Sequence, residues 1–444
     1  MFAINGQHLI AGEAVGVSGE GFQALNPATG EVLPIKFCDG GAAEVDRAVS
    51  AAEKGFVAFR QIGHAKRAEL LDAIAAQLTA AKVQLIERAM QETALPQARL
   101  EGELLRTTNQ LQLFARSIEN GEHLREKSDS ALPDRQPLPR PELRMTQIPL
   151  GPVAVFGASN FPFAFSAAGG DTASALAAGC PVIVKGHPGH PGTCELAARA
   201  IIAALEKCGL PQGIFSLLQG RRHQLGAELV QHPLLSAVAF TGSQSCGRAL
   251  FDLAAARPEP IPVFAEMGSV NPMFLLPQAL AEGTADLARG YADSVALGVG
   301  QFCTNPGILF AVESPGLEIF IEQLSKLQAE SAPGVMLHAG IKQNYCAAVA
   351  QLADRPGVEI LRGTPGVASE SDCLVVPALL KTTATYFLTD SLLSEEVFGP
   401  AALIVVCQST KQMLACAASF PGQLTATVHA AINEEPLAGE LFAI

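Results

Sequence analysis

Apolar and polar positions along the chain fall into contrasting textures. From Ala42 to about Leu124, apolar residues recur at three- and four-residue intervals between charges, as in KRAELLDAIAAQL and KVQLIERAMQETA. That spacing stacks the apolar side chains on one face and predicts a run of amphipathic helices. From Gly151 onward, short apolar runs alternate with helix-like stretches. GPVAVFGA, PVIVKG, GIFSLLQG and AVAFTG read as strands. They are followed in turn by FAFSAAGGDTASALAAG, TCELAARAIIAALEKCG, HQLGAELVQHP and SQSCGRALFDLAAA, which read as helices. Four strand–helix units in succession predict parallel strands joined by crossover helices, an open α/β sheet of the doubly wound type.

Beyond Pro258 a second alternation begins: VFAEMG, MFLLP, a helix from Leu287 to Gly298, ILFAVE and a helix from Leu317 to Ala329. This predicts a second α/β domain. Between the helical run and the first strands lies EKSDSALPDRQPLPRPELRMTQIP, residues 126–149, polar and rich in proline. It is either a loose linker or an extended arm that leaves the body and returns, with a strand in Leu143–Ile148. The expected organisation is one domain from 1–125 with 150–258, the segment 126–149, and another domain from 259–444.

Composition narrows the function classes. The chain has 444 residues, is 49% hydrophobic and only 16% charged, enough to bury a large core. No apolar run approaches the roughly 20 residues of a membrane span. The start, MFAINGQHLIAGE, lacks the basic-then-apolar pattern of a signal peptide, so a cytoplasmic location is expected and no membrane partner. With 30 basic against 43 acidic residues the net charge is −13, which argues against nucleic acid as a partner. Ten cysteines occur without a CxxC pair or His/Cys clustering at metal-ligand spacing, which fits reduced thiols and no metal site.

Open α/β sheets bind ligands where strands end and helices begin. Three loops stand at such places: FGASNFPFAFS, VKGHPGHP and FTGSQSCG. None is a GxGxxG fingerprint. In the third, Gly242, Ser243 and Gly247 form G-S-x-x-x-G at a helix start, where N–H groups and a hydroxyl suit a pyrophosphate. The same pattern also suits an ordinary helix cap. His187 and His190, flanked by proline and glycine, read as loop histidines.

Together with FAEMGSVNP, GQFCTNPG and EEVFGP, these segments resemble the aldehyde dehydrogenase superfamily, in the same order and from about Asn26 to the C-terminal end. The resemblance implies an aldehyde dehydrogenase-like fold, with two doubly wound parallel-sheet domains and a small oligomerisation arm at 126–149. It implies Cys303 as nucleophile, Glu266 as general base and Asn160 as the amide that stabilises the oxyanion. It implies Lys185 at the cofactor ribose, Gly242, Ser243 and Gly247 at the pyrophosphate, and Glu396 and Phe398 at the nicotinamide ribose and ring. A small-molecule aldehyde would be the substrate, and a homo-oligomer, dimer or tetramer, the assembly.

NAD-preferring members of this family commonly carry a glutamate three residues beyond the lysine. Pro188 stands there instead, removing a carboxylate that would repel a 2′-phosphate. Arg221 and Arg222 follow the third strand, and Arg222 is the candidate phosphate partner. NADP is the expected cofactor, with NAD left open. The wording GASNFPFAFS…GGDTASALAAGCPVIVKGHPGHPGT resembles the branch that holds α-ketoglutarate semialdehyde (2,5-dioxopentanoate) dehydrogenases; a fatty or other aldehyde is the alternative. A dicarboxylic-type substrate asks for a cation in its pocket, and the sequence alone identifies none. The same resemblance implies residues beyond Ile444, so 259–444 is read as a C-terminally incomplete catalytic domain. A nucleotide-binding fragment without turnover is the rival reading.

Overall fold

A computed structural model describes residues 2–16, 21–363 and 373–444. The chain divides into two compact units, one running to Asn26 and through Val32–Met267, the other comprising Pro27–Glu31 and Gly268–Ile444.

The first unit is built on a seven-stranded sheet. Its spatial order is Val263–Glu266, Ala237–Thr241, Val153–Phe156, Val182–Lys185, Phe215–Leu218, His8–Ile10 and Glu13–Val15. The first five strands are mutually parallel; the two N-terminal strands add antiparallel at one edge. Val153–Phe156, Val182–Lys185 and Phe215–Leu218 are almost continuously apolar because helices cover both faces of such a sheet. Alternation along each strand still sorts the side chains. Val153, Val155, Val182, Val184 and Leu217 join the core on one face, and Ala154, Phe156, Ile183 and Leu218 the core on the other. Four helices precede the parallel strands: Ala42–Phe59, His64–Ala80, Lys82–Thr93 and Gln97–Glu119. The segment 126–149 holds a two-stranded antiparallel hairpin, Lys127–Asp129 with Leu143–Met145.

Strand order reverses between Val153–Phe156 and Ala237–Thr241. From the former the chain runs outward through Val182–Lys185 and Phe215–Leu218, then returns to its other side. Ligands of doubly wound sheets bind at such a switch point, beyond the carboxyl ends of the strands. The loops after Phe156 and Thr241 carry Asn160 and Gly242–Ser243.

The second unit has a six-stranded sheet in the order Glu359–Arg362, Ala378–Thr383, Ala401–Cys407, Ile308–Val312, Met273–Leu275, Thr427–His429. Only the Glu359–Arg362 edge strand is antiparallel. The same alternation places Phe274, Phe310, Leu403 and Val405 in one core layer and Met273, Leu275, Leu309 and Ile404 in the other. Among the described residues, no helix is long and apolar enough to cross a membrane.

Two sequence expectations change. VFAEMG does not open the second alternation. Val263–Glu266 pairs in parallel with Ala237–Thr241, so Gln244–Ala255 is its crossover helix and Glu266 belongs to the first sheet. FAFSAAGGDTASALAAG is helical only over Gly170–Ala178. Before that, Pro162 and a folded-back loop take over: Ala158 N–H donates to Phe165 O (2.8 Å) and Gly170 N–H to Ala164 O (3.0 Å). A Cβ at Gly169 would lie 2.3 Å from the Ala164 carbonyl oxygen, so the fold-back requires glycine there.

Candidate active site

In the first unit, the proposed cofactor and base residues stand together at the carboxyl edge of the sheet. Lys185 ends its strand opposite Phe156 and Leu218, and Glu266 ends its strand opposite Thr241. Gly242 N–H donates to the Glu266 carbonyl at 3.1 Å, tying the G-S-x-x-x-G loop to the backbone of the proposed base. Ser243 is the N-cap of Gln244–Ala255, its hydroxyl accepting from Cys246 N–H at 3.4 Å. The remaining first-turn N–H groups are those a helix leaves without internal partners, and with the hydroxyl they are the donor set a pyrophosphate needs. Burial brings the Lys185 ammonium down to about 8.

A cavity of about 410 Å³ opens beside Glu266, lined among others by Gln110, Phe165, Asp171, Phe240 and Thr241. Burial pushes the Asp171 carboxyl up, and the neighbouring Glu266 charge adds to that; a hydrogen bond with Thr241 works the other way.

Asn160 is buried in the loop after Phe156. The helix Gln97–Glu119 holds that loop with a pair of charged side chains one turn apart. Arg99 donates to the Asn160 carbonyl oxygen at 3.2 Å and pairs with Glu103. Glu103 Oε1 accepts from the N–H groups of Phe163 (2.7 Å) and Ala164 (2.9 Å). From below, His190 Nε2 meets the Ala158 carbonyl at 3.1 Å, and its Nδ1 lies 3.3 Å from Cys194 Sγ. His190 is the loop residue just before the helix Pro191–Lys207, as its sequence context suggests, and it is fully buried under the Asn160 loop.

In the second unit, Cys303 lies on a tight non-repetitive segment between Gly300 and Gly307. Its carbonyl accepts from Asn271 Nδ2 at 2.8 Å, and the same amide reaches the Asn305 carbonyl at 2.9 Å. Asn271 Oδ1 accepts from the hydroxyls of Ser269 (2.9 Å) and Thr425 (3.1 Å). Gln301 fixes the other side, accepting from Leu337 N–H at 3.0 Å. Gly300 has φ 63°, and a Cβ there would lie 2.2 Å from the Gly399 carbonyl oxygen. That close approach presses the Cys303 segment against Glu396-Val-Phe398-Gly. Phe302, Asn305, Glu396 and Phe398 line one small cavity of about 20 Å³. The Glu396 carboxyl packs on Gly268, and its burial lifts it to about 7 although Ser269 N–H donates to it. Phe398 and Glu396 are thus brought beside the Cys303 segment within this unit.

Arg222 is half exposed and engaged: its Nε lies 3.0 Å from the carboxylate of Asp39, whose side chain is 1% exposed. Arg221 N–H donates to the same carboxylate at 3.0 Å. Among the described residues no three His, Cys, Asp or Glu side chains are grouped to hold a metal ion.

Residues 15–435 match the family model described as the aldehyde dehydrogenase family. The chain belongs to that family. Among its relatives, "Alpha-ketoglutaric semialdehyde dehydrogenase 2" of Azospirillum brasilense is 48% identical over 443 residues, 99% of this chain and 84% of that protein. "Alpha-ketoglutaric semialdehyde dehydrogenase" of Acinetobacter baylyi is 40% identical over 438 residues, 98% of this chain and 82% of that one. The solved structure of HpcC from Thermus thermophilus superposes with a TM-score of 0.83 at 24% identity, over 98% of this chain and 84% of that one, and supports the shared fold. This aldehyde dehydrogenase is therefore an enzyme acting on aldehydes, in a family that uses a nicotinamide dinucleotide.

Sequence reasoning missed Asn271, Arg99 and Glu103. Asn271 had a visible signal, an Asn in the FAEMGSVNP motif, but nothing local says that its amide turns toward Cys303. Arg99 and Glu103 sit in a helix that pattern alone treats as a solvated face.

Proposed function

We propose that this protein oxidises 2,5-dioxopentanoate to the dicarboxylic acid, with NADP as preferred hydride acceptor. What carries the reading is its likeness to two semialdehyde dehydrogenases over nearly its whole length, with Cys303 and Asn160 in braced loops and Glu266 at a strand end. The Cys303 thiolate attacks the aldehyde carbon, a carbon–sulfur bond forms, and the carbonyl electron pair moves to oxygen. The Asn160 side-chain amide and the Cys303 N–H donate to that oxyanion. Lys185, Ser243 and Glu396 would hold the nicotinamide dinucleotide, which when bound would supply the hydride acceptor for this step. Loss of hydride leaves a thioester on Cys303. Glu266 takes a proton from water, the hydroxyl adds to the thioester carbon, and the carbon–sulfur bond breaks to return the thiolate and release the acid. Overall one aldehyde, one oxidised cofactor and one water give acid, reduced cofactor and a proton.

Pro188 in place of a carboxylate after the strand Val182–Lys185, and Arg222 after the neighbouring strand Phe215–Leu218, support NADP. Asp39 favours a second reading, because its buried carboxylate already occupies Arg222 and would repel a 2′-phosphate; NAD use is then the outcome. The hairpin at 127–145, with exposed Leu132, Leu138, Leu143 and Met145, supports a role for 126–149 as the arm that joins copies into a homo-oligomer.

Purified protein given 2,5-dioxopentanoate and either cofactor tests the reading. Reduced cofactor should form without added coenzyme A or phosphate, and Cys303→Ala should abolish it. Turnover that requires an acyl acceptor other than water would overturn the hydrolytic step, and no turnover of any aldehyde would overturn the whole.

A further inference from the structure

The proposed substrate carries a carboxylate, and among the described residues no lysine, arginine or histidine lines the cavity beside Glu266. Its wall instead holds two acids, Asp171 and Glu266. An anionic substrate tail entering there meets like charge unless a cation stands at the rim. The helix Gln97–Glu119 supplies one. Arg99, Glu103, Arg106 and Gln110 recur at i, i+4, i+7 and i+11 and so share a face. Arg99 and Glu103 are spent on the Asn160 loop, and Gln110 lines the cavity.

Arg106 lies between them. Its guanidinium carbon is 4.9 Å from the ring centroid of Phe165 and 5.6 Å from that of Phe161. Phe165 itself lines the cavity. Arg106 has no carboxylate partner among the described residues, in contrast to Arg99, Arg88 and Arg199, each paired with a glutamate one turn away. Stacking on aromatic faces fixes the plane of a guanidinium while leaving its edge donors available for a carboxylate. We propose that Arg106, clamped on Phe161 and Phe165, is the specificity-determining residue that receives the substrate's distal carboxylate at the rim of this cavity.

The inference rests on the reading of the substrate as an anionic aldehyde. Phe165 then serves two ends: it lines the cavity and, with Phe161, it holds the cation that selects for a charged tail. Because Arg106 is exposed, its attraction is screened by salt, so the preference for anionic aldehydes falls as ionic strength rises.

The test compares charged and uncharged aldehydes of matched length: 2,5-dioxopentanoate against pentanal, and succinic semialdehyde against butanal. Replacing Arg106→Met keeps the length and apolar stem of the side chain. We expect the charged-to-uncharged ratio of kcat/KM to fall about 10- to 100-fold, the range for losing one charge-assisted pair. The fall should come mainly from KM, and Arg106→Lys should restore part of it. An unchanged ratio, with charged and uncharged substrates losing equally, overturns the role of Arg106 and leaves the substrate reading standing. If wild type oxidises succinic semialdehyde but not 2,5-dioxopentanoate, and Arg106→Met lowers its preference over butanal, the role of Arg106 stands and only the identity of the substrate falls.

Discussion

Asn271 donates its side-chain amide to the carbonyl oxygen of Cys303 at 2.8 Å, so the proposed nucleophile is fixed through its backbone by a residue 32 positions earlier in the chain. Asn271 is 2% exposed and sits at φ 48°, a left-handed conformation that asparagine tolerates better than most residues. Replacing Asn271→Ala leaves the Cys303 and Asn305 carbonyls without that donor and adds backbone strain. A loss of roughly 2–4 kcal/mol is expected. Asn271→Asp separates the donor from the backbone strain: it keeps the shape and the backbone preference but replaces the donor with an anion facing two carbonyl oxygens. Both variants should lower kcat well beyond any change in KM, and denaturant unfolding should show the stability loss. Full kcat in Asn271→Asp would show that the Cys303 segment holds its geometry without this amide.

Glu103 is the corresponding anchor for Asn160. Its Oε1 accepts from two consecutive N–H groups in the loop, and its other oxygen pairs with Arg99, which in turn reaches the Asn160 carbonyl. Glu103→Ala removes all of these acceptors from a buried site and leaves Arg99 without its counter-charge. The expected outcome is a destabilisation of about 3–5 kcal/mol and a fall in kcat. Glu103→Gln keeps an oxygen for the two N–H groups while dropping the ion pair, so it should recover most of the stability. Measuring both variants by thermal unfolding and steady-state kinetics separates the loop anchor from the charge pair; equal damage in both would assign the whole effect to the pair.

Much of this architecture is legible in the residues. Parallel strands such as Val182–Lys185 advertise themselves because an apolar run bounded by Pro181 and Gly186 has few other uses, and the helices between them follow from spacing. The edge strand Val263–Glu266 was misplaced for a related reason. Its run is short, and which sheet a short strand joins depends on the crossover helix that delivers it, information that lies outside the run itself. The NFPFAFS loop defeats periodicity because backbone folded over a proline and held by Glu103 from another helix is stabilised by long-range bonds. The candidate residues were found through motif wording, whereas their supports, Asn271, Glu103 and His190, are separated from them by tens of residues and leave no local mark.

Two partly buried groups would set a pH window for cofactor binding in the proposed site. Glu396, lifted to about 7 by burial, loses its charge as pH falls through that value and then offers ribose hydroxyls a weaker acceptor. Lys185, brought down to about 8, loses its charge as pH rises through that value. The KM for cofactor should therefore be lowest between about pH 7 and 8 and rise on both sides. Glu396→Gln should remove the acid limb and leave the alkaline one. Stability carries a matching sign in the cofactor-free protein. The folded Glu396 pKa lies above its ordinary 4.5, so the folded state holds the extra proton between those values and stability falls as pH rises from about 4.5 to about 7. That slope should flatten in Glu396→Gln. A cofactor KM that is level from pH 6 to 9 would remove both groups from cofactor binding.

In the proposed reading, cofactor choice turns on how Arg222 divides its charge. Its guanidinium has five N–H donors in a fixed fork, and Asp39 at 3.0 Å takes only one side of it. Removing the arginine with Arg222→Ala should raise the KM for NADP by about tenfold, the value of one charge-assisted contact at a half-exposed site, while moving that for NAD little. Asp39→Asn acts in the opposite direction on charge and the same direction on order. It takes away the anion that would repel a 2′-phosphate, yet frees Arg222 and the Arg221 N–H that Asp39 now holds. If charge dominates, Asp39→Asn improves the NADP-to-NAD ratio of kcat/KM; if positioning dominates, it lowers that ratio. Either shift, read with the Arg222→Ala result, identifies the pair as the cofactor selector. An unchanged ratio in both variants would place phosphate discrimination elsewhere in the chain.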